Sequence, residues 1–472
     1  MKKLHLVSLG CTKNLVDSEV MLGKLREYSI TDDSKEADLI IVNTCGFIES
    51  AKQESLNTIF ELDSTRKKES VLVMAGCLSE RYKEELREGL ENEVDIMTGV
   101  GDYDIIDKLV EEKRGQFTDK VFLATEENDR VVTGSNYHAY VKISEGCNQT
   151  CSFCAIPSFK GKLNSRPLGS IEAEVKDLVS KGFYDFSFVS QDSSSYLRDF
   201  NMKDGLEQLI SRVEQIDGVK SARILYLYPS TTSNNLIEKI ANSNVFHSYY
   251  DMPLQHISSN VLKIMKRGKG AEQLKDLMQH MKNQKDSFIR STFIVGHPGE
   301  TEENFEELCA YLEEYRFDRV NVFSYSDEDG TGAYDLEDKV EQELIDERAG
   351  VLGDIISRIT QEKLEEEIGK TFDVVVDGES SEHEYLLSAR KLSWAPDIDG
   401  EIYINDNELH EEIKAGVVYT ATVTELSGDK LIAKIIKKVS NHLYLLFKIN
   451  TYSNKLKIFK SKINFTFKYK SY

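Results

Sequence analysis

The sequence predicts an α/β protein in three parts: an N-terminal open parallel α/β domain, a central partial or complete (βα) barrel, and a C-terminal small β-barrel. Three observations predict it. An apolar strand-like run, a cysteine and a polar helix-like stretch recur three times at the start of the chain. A longer alternation of apolar runs and helix-like segments fills the middle, and short strand-like runs separated by Gly, Asp and Ser follow it.

In the first part (residues 1–125), Leu4–Leu9 leads to Cys11, Leu39–Val42 to Cys45 and Val71–Met74 to Cys77, at cysteine intervals of 34 and 32 residues. That is the period of βα units. Parallel strands in an open sheet end at one crevice, so cysteines placed just after three of them can converge. The second part (133–367) follows a charged connector near Glu111 to Arg130. Its strand-like runs are His138–Ile143, Phe186–Val189, Ala222–Leu227, Phe288–Val295 and Val320–Tyr325, alternating with helix-like Ile171–Ser180 and Gln273–Lys282. Partial or complete closure into a barrel would bury them. Glu337 to Glu367 reads as a long charged helix stopped at Gly369.

The third part (369–438) carries runs at Phe372–Val376, Tyr385–Leu387, Glu401–Ile404, Val417–Thr424 and Leu431–Ile436, the pattern of a small β-barrel. A basic stretch (439–472) ends the chain, with seven lysines and no carboxylate. It reads as a disordered or loosely β-prone tail, an altered reading frame, or, less readily, a nucleic-acid arm.

Composition sets outer limits. With 40% hydrophobic and 30% charged residues among 472, the chain is ordinary for a globular protein. No apolar run is long enough to span a bilayer, and Leu4–Leu9, broken by His5 and Ser8, is too short for a secretion signal, so the expected address is the cytoplasm. Seven cysteines without an export signal then point to metal or redox chemistry rather than disulfides. The net charge is −22, and residues 1–438 alone carry −29, a field that repels nucleic acid and attracts a basic protein.

The strongest motif is Cys147-Asn148-Gln149-Thr150-Cys151-Ser152-Phe153-Cys154, just after a strand. Three thiolates in one loop can hold three irons of a [4Fe–4S] cluster and leave the fourth open to a small chelator. Zinc is the rival reading, although a structural zinc site wants four protein ligands.

This cluster resembles the signature of radical S-adenosylmethionine enzymes. Its setting, Ile143-Ser144-Glu145-Gly146 before and Ala155-Ile156-Pro157, Gly161 and Ser165-Arg166-Pro167 after, is similar to the methylthiotransferase branch. Ser8-Leu9-Gly10-Cys11-Thr12-Lys13-Asn14-Leu15-Val16-Asp17-Ser18-Glu19, Asn43-Thr44-Cys45-Gly46-Phe47-Ile48-Glu49-Ser50-Ala51-Lys52 and Gly76-Cys77-Leu78-Ser79-Glu80-Arg81-Tyr82 resemble the members of that branch that modify a ribosomal protein. The resemblance covers residues 1 to about 438.

The resemblance implies a radical-type central barrel, a C-terminal barrel of the TRAM kind, and two [4Fe–4S] clusters. Cys147, Cys151 and Cys154 would hold the cluster that binds S-adenosylmethionine, and Cys11, Cys45 and Cys77 an auxiliary one charged with sulfide. It implies transfer of a methylthio group to the β-carbon of an aspartate on the twelfth small-subunit ribosomal protein, free or within the 30S subunit, with a low-potential electron donor. Such a C–H bond has no acidic proton and no leaving group, so acid–base catalysis alone does not suffice.

Phe153, Gln191, Asp192, Gly296 and Glu300 are expected cofactor contacts, with ordinary turn chemistry or packing as the alternative. His256 and His297 are expected to serve as hydrogen-bonding scaffold, and Cys309 as core packing. Two rival functions share these features. A tRNA methylthiotransferase is disfavoured by the charge of −6 over residues 369–438, so nucleic acid is not expected to be the direct substrate. An electron carrier would usually give each cluster four protein ligands.

Overall fold

The structure, a computed structural model, describes residues 1–409 and 411–439. The expectations for the tail fall on residues 440–472, outside the described residues. The chain divides into two compact units, the first ending at Thr360 and the second beginning at Gln361.

The first unit opens with a parallel sheet of β1 (Lys3–Ser8), β2 (Ser29–Ile30), β3 (Leu39–Thr44), β4 (Val71–Gly76) and β5 (Ile96–Met97), in the order β2-β1-β3-β4-β5. All six residues of β3 are buried. The apolar run Leu39–Val42 within it suits a central strand covered on both faces. Helices α1 (Thr12–Lys24), α2 (Glu49–Thr65) and α3 (Cys77–Arg81) follow β1, β3 and β4.

The rest of the unit is an arc of parallel strands. After β6 (His138–Lys142) and the short antiparallel pair β7 (Ser144–Glu145) and β8 (Asn164–Ser165) come β9 (Asp185–Val189), β10 (Ser221–Ile224), β11 (Tyr249–Asp251), β12 (Phe288–Val295) and β13 (Arg319–Ser324). The strands form two sheets, β10-β9-β6 and β11-β12-β13, with one bridge, Ala222 to Phe246, at the seam. Among the described residues no pairing joins β6 to β13, so the barrel is partial.

Among the differences from the sequence reading, two concern the arc and the helix that follows it. β11 has no counterpart there, because three residues are too few to show a period. The long helix spans Gln342–Glu365 rather than starting at Glu337. The backbone before it is taken up elsewhere: the Gly299 amide donates to the Asp338 carbonyl at 2.8 Å and the Lys339 amide to that of Glu337 at 2.8 Å.

The second unit contains a closed barrel of β14 (Thr371–Glu379), β15 (Leu387–Lys391), β16 (Ile402–Asn407), β17 (Val418–Ser427) and β18 (Lys430–Lys438), in the order β14-β15-β16-β18-β17. Closure leaves no open sheet edge. Among the described residues, no helix is long and apolar enough to cross a membrane.

Candidate active site

β1, β3 and β4 lie side by side, so the residues just past their carboxyl ends share one edge. Cys11 stands directly before α1, Cys45 directly after β3, and Cys77 opens α3. Gly10 permits the close approach: its φ is +86°, and a Cβ there would sit 2.8 Å from Cβ and 2.9 Å from Sγ of Cys45. Asn14 ties the strand ends together, its Nδ2 donating to the carbonyls of Leu9 and Thr44 at 3.2 Å each, while the Cys77 thiol lies 3.6 Å from its Oδ1.

The second trio sits on the loop after β7. Gly146, at φ +78°, has no room for a Cβ, which would meet the Lys162 carbonyl oxygen at 2.2 Å. The Cys147 amide donates to the Gly161 carbonyl at 3.1 Å, and the Ser152 amide to that of Met265 at 3.1 Å, pinning the loop at both ends. Cys151 Sγ accepts from Arg267 at 3.3 Å and faces the Tyr228 hydroxyl at 3.5 Å. The Arg267 guanidinium in turn lies 4.3 Å from the centre of the Tyr228 ring.

All six cysteines line a single cavity of about 250 Å³. Burial pushes the Cys77 thiol up to about 11 and those of Cys147 and Cys154 up to about 12. Cys45 rises too, through burial and then the neighbouring Cys77 and Cys11. These four thiols therefore keep their protons, which an iron must displace. Each trio offers three sulfurs, which a cubane that takes each thiolate on a different iron can use, whereas a structural zinc wants four protein ligands.

Beside the trios lies a buried ion cluster. Lys142 donates to Asp17 and, at 2.7 Å, to Glu145, while Lys160 stands 3.6 Å from each of these carboxylates. Burial opposes the charge on Glu145, yet Lys142 and Lys160 together hold it down at about 2.

Of the expected cofactor contacts, Phe153 and Gln191 line the cavity. Asp192, Gly296 and Glu300 stand outside that lining. Asp192 accepts from Gln149 at 2.8 Å and from the Ser195 hydroxyl at 2.6 Å, so it fixes a loop that borders the cavity. The Gly296 amide donates to Glu300 at 3.0 Å, and Glu300 pairs with Arg348 at 2.7 Å. His256 is buried, accepting from the Ser258 amide at 3.0 Å, and Cys309 packs half-buried against the arc's core. The lining also holds Lys13, Lys160, Arg267 and Arg290. The sequence carried no signal for Lys160, Arg267 and Arg290, since a lysine or arginine outside a known motif is usually a solvated surface group, and Lys13, though inside the stretch 8–19, was given no role there.

The chain matches the uncharacterized protein family UPF0004 over residues 3–99, the radical SAM superfamily over 141–312 and the TRAM domain over 368–436. It is 70% identical over 438 residues to the ribosomal protein uS12 methylthiotransferase RimO of Aliarcobacter butzleri, covering 92% of this chain and 98% of that protein. To the protein of the same name from Sulfurovum sp. it is 61% identical, covering 93% and 99%. Among solved structures, the radical S-adenosylmethionine methyltransferase TsrM from Kitasatospora setae, with tryptophan and an S-adenosylmethionine analogue bound, resembles it with a TM-score of 0.50 at 14% identity, covering 68% of this chain and 73% of that one; this likeness is one of fold. High identity over nearly the whole length of those relatives, with cysteines gathered at strand ends around one cavity, leads to one conclusion: the chain belongs to the RimO family of ribosomal protein uS12 methylthiotransferases, enzymes of the radical S-adenosylmethionine type.

Proposed function

We propose that this enzyme places a methylthio group on the β-carbon of an aspartate of ribosomal protein uS12, free or within the 30S subunit, using two [4Fe–4S] clusters. The observation that carries the reading is the meeting of two cysteine trios, from separate parts of the chain, in one cavity. Cys147, Cys151 and Cys154 would hold one cluster, and Cys11, Cys45 and Cys77 the other. When bound, the clusters and S-adenosylmethionine supply the one-electron chemistry that opens an unreactive C–H bond, together with the sulfur and methyl to be transferred.

The protein's own groups do the rest. Arg267 donates to the Cys151 sulfur and so holds that side chain in place at the cavity wall. Phe47, Phe153, Phe159, Ile294 and Phe323 give the cavity an apolar wall that keeps water from a reactive carbon. Phe153 and Gln191 border the space left for S-adenosylmethionine, while Asp192, Gly296 and Glu300 hold the loops around it. A low-potential electron donor completes the system.

The test is anaerobic incubation of the reconstituted enzyme with S-adenosylmethionine, sulfide, reductant and 30S subunits, followed by mass spectrometry of ribosomal proteins and tRNA hydrolysates. A gain of about 46 Da, one CH₂S unit, on an aspartyl peptide of uS12 is expected. The same gain on a tRNA adenosine would overturn the substrate. Cys151→Ala should abolish formation of 5′-deoxyadenosine, whereas Cys45→Ala should retain some while losing methylthio transfer. Equal loss of cleavage in folded, iron-loaded variants would contradict the division between the trios.

A further inference from the structure

We propose that Lys13 is the specificity residue for the substrate, its ammonium group receiving the β-carboxylate of the aspartate to be modified. The inference rests on the reading that the substrate is an aspartyl side chain.

Four cations line the cavity, and three are engaged. Lys160 lies 3.6 Å from both Asp17 and Glu145, Arg290 lies 3.5 Å from Asp251, and Arg267 donates to the Pro253 carbonyl and the Cys151 sulfur. Lys13 differs. Its Nζ sits 3.3 Å from the centre of the Tyr226 ring. None of the ion pairs among the described residues includes it, although it is buried in a chain of net charge −22. An aromatic face stabilises a cation without neutralising it, so the charge stays available to an incoming anion.

The platform beneath it is built at a cost. Tyr226 has φ +63°, a conformation rare for a bulky side chain. Two hydrogen bonds hold it there: its amide donates to Asp251 Oδ2 at 3.0 Å, and the Ser193 amide donates to its carbonyl at 2.9 Å. Backbone strain of this kind concentrates at ligand-binding positions. Lys13 also occupies the first turn of α1, a 13-residue helix with no acidic residue at that end, so unpaired amides add positive potential.

The chemistry names the anion. The carboxyl carbon of an aspartyl side chain is bonded directly to the β-carbon, so a grip on the carboxylate fixes the reacting carbon one bond away. Lys13 follows Cys11 by two residues, and its platform Tyr226 precedes by two the Tyr228 that faces Cys151. Each cysteine trio is thereby linked to the same grip.

The experiment measures binding of a fluorescent uS12 peptide holding the target aspartate, and its Asp→Asn counterpart, to iron-loaded enzyme by anisotropy. Wild type should prefer the aspartyl peptide by about ten- to a hundredfold, the range of a charge-assisted hydrogen bond. Lys13→Met should bind both peptides equally, and Lys13→Arg should keep most of the preference. Iron content and absorption spectra confirm loading of each variant. Lys13→Met that loads and keeps the preference overturns the proposal. Wild type that binds both peptides alike also overturns it, whether or not any variant folds. An enzyme that binds neither peptide and modifies tRNA instead defeats the underlying substrate reading, and the assignment of Lys13 falls with it.

Discussion

His297 serves the cluster loop by remaining neutral. Its Nδ1 lies 2.9 Å from the Pro298 carbonyl oxygen and so carries the donated proton, which leaves Nε2 to accept from the Ser152 hydroxyl at 3.2 Å, between Cys151 and Cys154. Burial pushes its pKa down to about 4. The unfolded chain takes up the proton near pH 6.5 and the folded protein only near 4, so the stability His297 contributes is complete above 6.5 and is lost as pH falls from 6.5 towards 4. Between pH 7 and pH 5 the wild type should lose about 2 kcal/mol from this source, a loss that His297→Gln should not share. Urea unfolding at the two pH values checks it. The sequence showed His297 as scaffold because a radical abstraction needs no base there, yet its Ser152 partner, 145 residues away, was invisible. The same limit hid Lys13, whose role depends on Tyr226 in a distant strand-end loop.

At the scale of elements, the helix Glu302–Tyr315 opens with a reciprocal cap. The Asn304 amide donates to Thr301 Oγ1 at 3.4 Å, and the Thr301 amide to Asn304 Oδ1 at 3.2 Å. Thr301→Ala should lower stability by about 1 kcal/mol while leaving methylthio transfer intact, as denaturant midpoints and the transfer assay would show. Elements with a clear period were legible beforehand. Phe288–Val295 has the same bounds in structure and sequence reading, because six of its eight residues are apolar or β-branched and they flank Arg290 and Ser291 on both sides. Tyr249–Asp251 was not legible: the register of Tyr250 beside Ile289 makes it a strand. Tyr385–Leu387 foretold a strand that runs over Leu387–Lys391, set by pairing with β14 and β16.

Across the whole first unit, Arg130 fastens the N-terminal sheet layer to the arc. Its guanidinium pairs with Glu19 on α1 at 2.6 Å and with Glu174 on the helix Leu168–Ser180 at 2.7 Å, and donates to the Tyr140 carbonyl at 2.7 Å. Burial works against the charge on Glu174, but Arg166 and Arg130 hold its carboxyl below the usual range. Arg130→Met should cost about 3–5 kcal/mol, because two buried carboxylates lose a shared partner, and Glu19 keeps only Thr133. A thermal melt monitored by intrinsic fluorescence would register the loss. Arg81, which reaches Glu328 at 2.7 Å, fastens the same two layers closer to the cavity.

The sequence by itself showed three cysteines each just past a strand, with βα periodicity to bring them together, and three more within one loop whose spacing suits iron–sulfur ligation, while a cluster on the first trio was what the family resemblance implied. Such features are local, and a strand followed by a loop places its cysteine at the sheet's edge whatever the neighbours do. Tertiary structure decided that both trios face one cavity, that the barrel stays open, and that Lys13 meets Tyr226. These depend on contacts between residues more than a hundred positions apart, where packing and charge pairing act and sequence periodicity carries no information.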